Sequence, residues 1–355
     1  MTNNYDAILL VSFGGPEGMD DVIPFLENVL RGRNVPPERM QEVAHHYEMF
    51  GGVSPINQQN RDLLAALKTE LTAHGINLPV YWGNRNWHPM LADTVKQMQA
   101  DGIKKALAFV TSAYSSYSSC RQYRENIASA LGHLNENGDL QIDKLRGFSN
   151  HPGFVEANIS RVENALQQFG EDRQNVHVVF TAHSIPNSMS DSCDYLAQLN
   201  ETAQLVADAV GAKNWKLCFQ SRSGPATQPW LEPDVCDYIK NLKDASVSNV
   251  VIAPIGFISD HMEVKYDLDV EAKQVCDELG VKMVRAGAAG THPAFVKMIR
   301  QLIEEKLQGA EQQSLGSLGP RPEVCAPDCC PPPARPAIAH GTVAHGTDKN
   351  SAEKK

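Results

Sequence analysis

The sequence predicts an α/β protein built from two similar, doubly wound lobes, each with a parallel sheet, and a cleft between them. Short apolar runs alternate with longer amphipathic segments along the chain, which is typical of βαβ units. The alternation occurs twice, on either side of a polar loop at residues 136–147. A chain of 355 residues is long enough for two such halves.

Composition narrows the class of protein further. The net charge is −10, from 32 basic and 42 acidic residues, which argues against a nucleic-acid partner. No apolar run approaches the roughly 20 residues that span a bilayer. The opening MTNNYDAILLVSF lacks the basic segment of a signal peptide. We expect a soluble, cytoplasmic protein with no transmembrane segment, and a monomer.

The first half contains three apolar runs that predict buried parallel strands. The predicted strands cover residues 7–13, 80–83 and 106–111, and the predicted helices cover 20–30, 57–74, 92–100 and 121–131. Residues 31–50 are interpreted as a polar, basic connection. The glycines after the first strand do not match a dinucleotide fingerprint, and no phosphate-binding P-loop occurs, so no nucleotide cofactor is expected.

The second half repeats this scheme and ends in a different composition. Its predicted strands cover 176–182, 216–220, 250–257 and 282–286, and its predicted helices cover 155–169, 191–210, 233–242 and 293–307. We therefore divide the chain into lobes at 1–147 and 148–310, a cysteine-containing extension at 311–330 and a disordered tail at 331–355.

A row of carboxylates follows the strand predicted at 250–257. Glu263, Asp267 and Glu271 are spaced four residues apart, so a helix places them on one sloping face. Like charges at this spacing repel each other, and open α/β sheets bind ligands beyond the carboxyl ends of their strands. Two interpretations remain: a solvated helix face, or a surface that binds a cation.

Three other strand exits carry polar motifs. His183, in TAHSIP, is either a loop residue with its own partners or a base that faces the carboxylate row. Arg222, in QSRSGP, either binds an anionic group or braces its loop. The hydroxyl-rich segment 111–120 also fits an ordinary helix N-terminus.

Cysteines form the remaining unusual cluster. Cys325, Cys329 and Cys330 lie within six residues of one another in a proline-rich segment. Thiolates grouped in this way suit an iron–sulfur cluster or zinc, and a loose tail with free thiols is the alternative.

Taken together, several motifs resemble the ferrochelatase family. They are SFGGPE at 12–17, GGVSPIN at 51–57, GNRNWHP at 83–89, TAHSIP at 181–186, QSRSGPATQPWLEPDV at 220–235 and DHMEVKYDLDVEA at 260–272. The resemblance covers about residues 6–307. It implies two doubly wound lobes around a porphyrin cleft and insertion of Fe²⁺ into a porphyrin, with porphyrin and ferrous iron as partners.

The resemblance also implies roles for individual residues. His183 becomes the proton acceptor or iron contact, Glu263 the carboxylate opposite it, and Asp267 and Glu271 the path by which Fe²⁺ arrives. Porphyrin-binding positions fall on Phe13, Arg31, Arg33, His46, Ser54 and Tyr114. Some bacterial relatives have a tyrosine at the position of Phe13, so an iron contact there is lost and Phe13 can only be a cleft wall.

The resemblance also bears on the substrate and on the cysteines. The basic residues of 31–50 suit the four propionates of coproporphyrin III, so this porphyrin is the expected substrate and coproheme the expected product in haem biosynthesis. Protoporphyrin IX is the alternative, and a non-catalytic tetrapyrrole or metal carrier is a second one. Some family members hold a [2Fe–2S] cluster, for which this chain offers Cys120, Cys325, Cys329 and Cys330.

Overall fold

The computed structural model of the chain describes residues 5–32, 35–132, 140–225 and 227–332. In its first part, helices and strands alternate around one sheet. The elements are β1 Ala7–Ser12, α1 Met19–Leu30, α2 Pro37–Glu48, α3 Ile56–Ala73, β2 Val80–Asn84, α4 Leu91–Ala100, β3 Lys105–Val110, a π-helical turn Tyr117–Arg121, α5 Gln122–Gly132 and β4 Gln141–Lys144.

A second sheet follows with its own helices. Its elements are α6 Pro152–Leu166, a 3₁₀ segment Gln167–Asn175, β5 His177–His183, α7 Asn187–Ser190, α8 Tyr195–Val210, β6 Trp215–Gln220, α9 Val235–Asp244, β7 Asn249–Ala253, α10 Met262–Tyr266, a π-helical turn Asp267–Ala272, α11 Lys273–Leu279, β8 Lys282–Arg285 and α12 Pro293–Gln308. We call the continuous helical stretch 262–279 the ladder helix.

The two sheets have the same topology. The strand orders are β2-β1-β3-β4 and β6-β5-β7-β8, and every neighbouring pair is parallel. In each sheet the first strand of the lobe is central and the chain winds outward on both sides of it. The prediction of two similar doubly wound lobes is confirmed, and ligands are expected beyond the carboxyl ends of these strands.

One large apolar core joins the lobes. It contains Ile8 and Phe109 from the first sheet, Phe180 from the second, and Phe295 of α12. Phe109 and Phe295 approach to 6.2 Å between ring centroids. Because α12 contributes to a core shared by both sheets, the lobes do not pack as independent domains, and the strand ends of both sheets are held in a fixed relation.

Three of the elements that differ from the sequence-based expectation have a plain physical reason. Helix α2 is not predicted from the sequence and lies inside the segment 31–50 that is interpreted as a basic connection. It left no apolar pattern because it is mostly exposed and buries only Ala44 and Tyr47. Strand β4 lies in the predicted boundary loop, because an exposed edge strand such as QIDK needs no apolar run. Strand β7 ends at Ala253, four residues earlier than predicted, since the following Pro254 has no N–H to donate.

Residues 309–332, which we call the C-terminal strap, run back across the molecule. Asn150 accepts from the Leu315 N–H, and its Nδ2 donates to the carbonyls of Leu315 and Gly319. Arg321 pairs with Asp194 at 2.7 Å, just before α8. The strap therefore contacts the loop between the lobes as well as the second lobe. Within the predicted tail, residues 333–355 lie outside the described part of the chain.

A buried ion pair anchors the start of the strap. Arg146 donates from Nε and Nη2 to the two carboxylate oxygens of Glu305, each at 2.7 Å, and Nη2 also reaches the Gln313 carbonyl at 2.9 Å. Both side chains are almost fully buried. Removing one partner of such a pair leaves an uncompensated buried charge, which typically costs about 3–5 kcal/mol.

Candidate active site

His183 ends the central strand of the second sheet. Its Nδ1 lies 2.5 Å from the Ser184 carbonyl, and a carbonyl can only accept, so Nδ1 carries the ring proton. The other ring nitrogen, Nε2, then has a free lone pair and lies 3.7 Å from Glu263 Oε2. The Tyr195 hydroxyl donates to the His183 carbonyl at 3.0 Å and fixes the backbone.

Glu263 stands opposite this histidine in the first turn of the ladder helix. Its side chain is 47% exposed and that of His183 is 33% exposed, so a bound molecule can reach both groups. His261 caps the helix, since its Nδ1 accepts the Glu263 N–H at 3.2 Å. Burial lowers the pKa of His261, which keeps it neutral as a cap acceptor should be. The pair presents a base and a carboxylate side by side.

The next carboxylate of the row lies deeper. Asp267 accepts hydrogen bonds from the Ser221 hydroxyl and from Gln220 Nε2, the latter at 3.3 Å. Burial raises the pKa of Asp267 to about 7, and the charges of Glu263 and Glu271 act in the same direction. Asp267 therefore changes its charge near neutral pH, under the influence of the carboxylates on either side of it.

The helix that carries the row is not a regular α-helix. Asp267–Ala272 forms a π-helical turn, a local widening found frequently at functional sites. Glu271 lies on its exposed side, and burial followed by the charge of Asp234 raises its pKa. Val264 and Leu268 are fully buried and hold the opposite face of the helix against the second sheet.

Helices α1 and α2 of the first lobe cover this site from the other side. Val22, Phe25 and Tyr47 form a small apolar cluster together with Met262 of the ladder helix. Phe13 packs partly exposed against it. His46 lies flat against Tyr266, with ring centroids 3.6 Å apart. Residues from both lobes thus meet around His183 and Glu263.

The remaining porphyrin-binding candidates occupy different environments. Arg31 is exposed and bonds to Asn28, whereas Arg33 lies outside the described residues. Ser54 is buried, and its N–H donates to the Pro16 carbonyl. Tyr114 is buried too, with its hydroxyl 2.9 Å from the Ile255 carbonyl. Arg31 and His46 are thus within reach of a ligand, whereas Ser54 and Tyr114 lie inside the protein.

The strap brings the C-terminal cysteines to Cys120, which lies in the π-helical turn before α5. Arg121 Nη1 donates to the Cys329 carbonyl at 3.1 Å, and Arg124 Nη1 lies 3.9 Å from the Cys329 sulfur. A hydrogen bond from Cys120 lowers the pKa of Cys325 to about 7. Cys325 and Cys330 each also form a side-chain hydrogen bond with Cys329.

These contacts link the thiols in pairs. Among residues 5–32, 35–132, 140–225 and 227–332, no three His, Cys, Asp or Glu side chains are grouped as a ready metal site. The arrangement gathers the four cysteines in one region, where the two arginines face Cys329.

Some residues of the site were not identified as functional from the sequence. Tyr195 supports His183, His261 caps the helix of Glu263, and Tyr266 stacks on His46. Gln220 and Ser221 hold Asp267 and open the polar QSRSGP motif, and His261 and Tyr266 lie in the DHMEVKYDLDVEA motif, so the sequence carried a signal for these four. Tyr195 lies outside these motifs and contacts His183 through packing of another helix, which a motif does not encode. Arg222 bonds to the Pro225 and Gln228 carbonyls, which fits a loop brace.

The chain is similar in sequence to known proteins. Residues 5–307 match the Ferrochelatase family. A protein of Rhodopirellula baltica named ferrochelatase is 59% identical over 323 residues, covering 90% of this chain and 92% of that protein. A protein of Streptomyces coelicolor named coproporphyrin III ferrochelatase is 50% identical, with the same coverage of both chains.

Solved structures support the fold. SirB from Bacillus subtilis, crystallised with Fe³⁺, aligns over 86% of this chain and 97% of its own, with a TM-score of 0.54 and 14% identity. None of the helices in the described ranges is long and apolar enough to cross a membrane. The family match and the close relatives lead to one conclusion: the chain belongs to the ferrochelatase family, enzymes that insert iron into a porphyrin.

Proposed function

We propose that this enzyme inserts Fe²⁺ into coproporphyrin III to give coproheme. The observation that carries the proposal is the high identity to relatives that bear this name, over nine-tenths of the chain. Insertion forms bonds from the metal to the porphyrin nitrogens and releases two pyrrole protons. The site therefore needs a base, a place for the protons to go and weak ligands that give up the metal.

In this proposal His183 is the base. The hydrogen bond from Nδ1 to Ser184 leaves Nε2 as the acceptor, and neutral imidazole is suited to take a proton near pH 7. The imidazolium that forms would be stabilised by Glu263, whose Oε2 lies 3.7 Å away. Proton transfer from His183 to Glu263 or to water then restores the base for the second pyrrole proton.

Asp267 and Glu271 supply the iron. Their position behind Glu263 on the ladder helix gives Fe²⁺ a series of oxygen ligands, from the exposed Glu271 through the inner Asp267 to Glu263. Carboxylates without a closed coordination shell bind the ion and release it again, which a transfer path requires. Phe13 and the apolar cluster of α1 and α2 would form a wall against the flat macrocycle.

Arg31 and His46 support coproporphyrin III as the substrate. Both lie on the first-lobe side of the site and can face propionates, of which coproporphyrin III has four and protoporphyrin IX two. One feature favours protoporphyrin IX instead. Met19, Met49 and Val53 are 49%, 53% and 45% exposed around Gly52, and such an apolar edge suits vinyl groups or a lipid surface.

An anaerobic assay with Fe²⁺ and each porphyrin decides between these substrates. We expect faster turnover of coproporphyrin III than of protoporphyrin IX. Arg31→Ala should narrow this difference in turnover rate because it removes a cation near the propionates. Lys96→Ala, which removes an equal charge on the far surface of α4, serves as the control. A preference for protoporphyrin IX would overturn the substrate assignment, and binding of both porphyrins without metallation would favour a carrier.

We further propose that Cys120, Cys325, Cys329 and Cys330 hold a [2Fe–2S] cluster. Four thiolates are what this cluster type requires, and the strap already brings the three C-terminal cysteines towards Cys120. Arg121 and Arg124 would offset the negative charge of the thiolates. When bound, the cluster supplies a redox-active cross-link, and these cysteines would then tie the strap to the first lobe.

A further inference from the structure

A groove lies on the side of the ladder helix that faces α9. Its volume is about 430 Å³, and polar and acidic side chains line it. They include Gln220, Asp234, Cys236, Asp267 and Glu271, and two valines complete the lining. The groove therefore has two walls: the ladder helix with two of the proposed iron ligands, and the start of α9 with Asp234 and Cys236, to which no role has yet been given.

The floor of the groove holds an unpartnered polar atom. Gln220 is 1% exposed, and its Nε2 donates to the Glu263 carbonyl and to Asp267. Both partners are acceptors, so the amide must turn its nitrogen towards them and its oxygen away. No described residue donates to that Oε1, which is buried. A buried acceptor without a donor costs free energy, and a cation in the groove would satisfy it.

The wall formed by α9 offers a carboxylate and a thiol. Asp234 caps α9, since its Oδ1 accepts the N–H groups of Cys236 and Asp237. Phe219 pairs with Asp234 in a short parallel bridge, which places Asp234 beside Gln220. Cys236 lines the same groove as Asp234 and Glu271, so the groove offers a thiol together with two carboxylates.

We propose that the groove is an entry site for a divalent transition metal, bound by Gln220 Oε1, Asp234 and Cys236 and passed on to Asp267 and Glu271. This inference rests on the proposed function, because the iron path along the ladder helix is itself proposed. On binding, the Cys236 thiol releases its proton to solvent as the metal–sulfur bond forms. A thiolate ligand favours iron, cobalt or zinc over magnesium or calcium.

The size of the groove fits an ion that keeps part of its water. Six waters at roughly 30 Å³ each fill about 180 Å³, which is well within the groove. The walls are not drawn together as a closed shell, as the lack of any ready three-ligand group in the described chain indicates. A site that passes its ion on must bind it weakly enough to release it.

Anaerobic titration of the metal-free full-length protein with Co²⁺, without porphyrin, tests the binding. We expect a near-ultraviolet sulfur-to-cobalt band of which one component is lost in Cys236→Ser. Subtracting the Cys236→Ser spectrum from the wild-type spectrum removes the absorption of any cobalt bound to the C-terminal cysteines, because both proteins keep those cysteines. Cys276→Ala, which removes a buried thiol of the neighbouring core, should keep the full band. An unchanged band in Cys236→Ser overturns the proposal.

Steady-state metallation tests the transfer. Cys236→Ser and Asp234→Asn should each raise the Fe²⁺ concentration at half-maximal rate at least about tenfold, the lower end of the loss typical for disturbed metal sites. The maximal rate should change little. Asparagine can still cap α9, so Asp234→Asn removes the negative charge of the side chain without removing the helix cap. Wild-type Fe²⁺ dependence in both variants also overturns the proposal. If the wild-type protein metallates neither porphyrin, the proposed function fails, but the cobalt band still reports on the groove.

Discussion

The imidazole of His46 lies flat on the phenol ring of Tyr266, with centroids 3.6 Å apart and planes 8° from parallel. His46 belongs to α2 of the first lobe and Tyr266 to the ladder helix of the second. The stack therefore connects the helices that cover the site to the helix that carries its carboxylates. Tyr266 lies between Glu263 and Asp267 in the sequence, so the stack is formed within the stretch that carries the carboxylates.

We expect this contact to weaken in mild acid. Burial, then the charges of Arg39 and His45, lowers the pKa of His46, so the folded state binds this proton less tightly than the unfolded chain does. Stability should therefore fall as pH decreases below about 6.5, the ordinary histidine pKa. Urea unfolding across that range measures it. His46→Phe keeps a stacked ring that does not titrate, so the fall in stability below about pH 6.5 should become smaller in this variant. His45→Phe changes an exposed neighbour and should keep the fall seen in the wild-type protein.

His183→Ala should lower the rate of metallation by at least about 100-fold, the usual effect of losing an acid–base group. The reason is that Nε2 is the free acceptor beside Glu263. Initial rates with saturating Fe²⁺ and porphyrin measure the effect, and circular dichroism checks the fold. His74→Ala, on the exposed end of α3, is the control. Near-wild-type turnover by a folded His183→Ala protein would remove this residue from the mechanism.

The two ends of the carboxylate row should behave differently. Glu263→Gln should mainly lower the maximal rate, by about tenfold or more, because Glu263 is the carboxylate that faces His183. Glu271→Gln should mainly raise the Fe²⁺ concentration needed, since Glu271 lies on the exposed outer part of the helix. Rate curves against Fe²⁺ separate these effects. Identical changes in both variants would show that the row is not a graded path.

Asp267→Asn should stabilise the protein at about pH 8 while slowing iron delivery. The pKa of Asp267 is raised to about 7, chiefly by burial, so ionisation between the ordinary carboxyl pKa and 7 destabilises the fold. One pKa unit corresponds to about 1.4 kcal/mol, and partial exposure screens some of it, so we expect a gain of about 1–2 kcal/mol. Thermal unfolding at about pH 8 and about pH 5 checks this. The gain should be clearly smaller at the lower pH, because only the interval between the ordinary carboxyl pKa and about pH 5 then contributes, and an equal gain at both would contradict the titration.

Protein purified anaerobically should be reddish-brown, with iron and acid-labile sulfide near two each per chain, the stoichiometry of a [2Fe–2S] cluster. Cys329→Ser should bleach the colour and lower the melting temperature, because the strap would lose its attachment to the first lobe. Cys193→Ser is the matched control, since serine can keep the bond to the Met189 carbonyl. A colourless protein that contains zinc, or no metal, would exclude the cluster.

Local patterns in the sequence determined much of the fold and part of the site. The apolar runs of β1, β3, β5 and β7 predict buried strands because a parallel strand buries both of its faces. The spacing of Glu263 and Asp267 predicts a shared helix face because a helix repeats every 3.6 residues. His183 could be placed at a strand end for the same local reason. Weakly apolar elements such as α2 and β4 left no such signal.

Tertiary structure alone decided which groups meet. Nδ1 of His183 donates to the Ser184 carbonyl, which leaves Nε2 of the neutral ring as the acceptor. The Tyr195 hydroxyl, from another helix, donates to the His183 carbonyl and fixes the backbone there. Tyr114 belongs to a hydroxyl-rich segment of the sequence, and only the packing shows that it lies in the shared core, where its hydroxyl donates to the Ile255 carbonyl. The stack of His46 on Tyr266 joins residues 220 positions apart. Such contacts depend on how the two sheets pack against one core, and a linear pattern does not contain that relation.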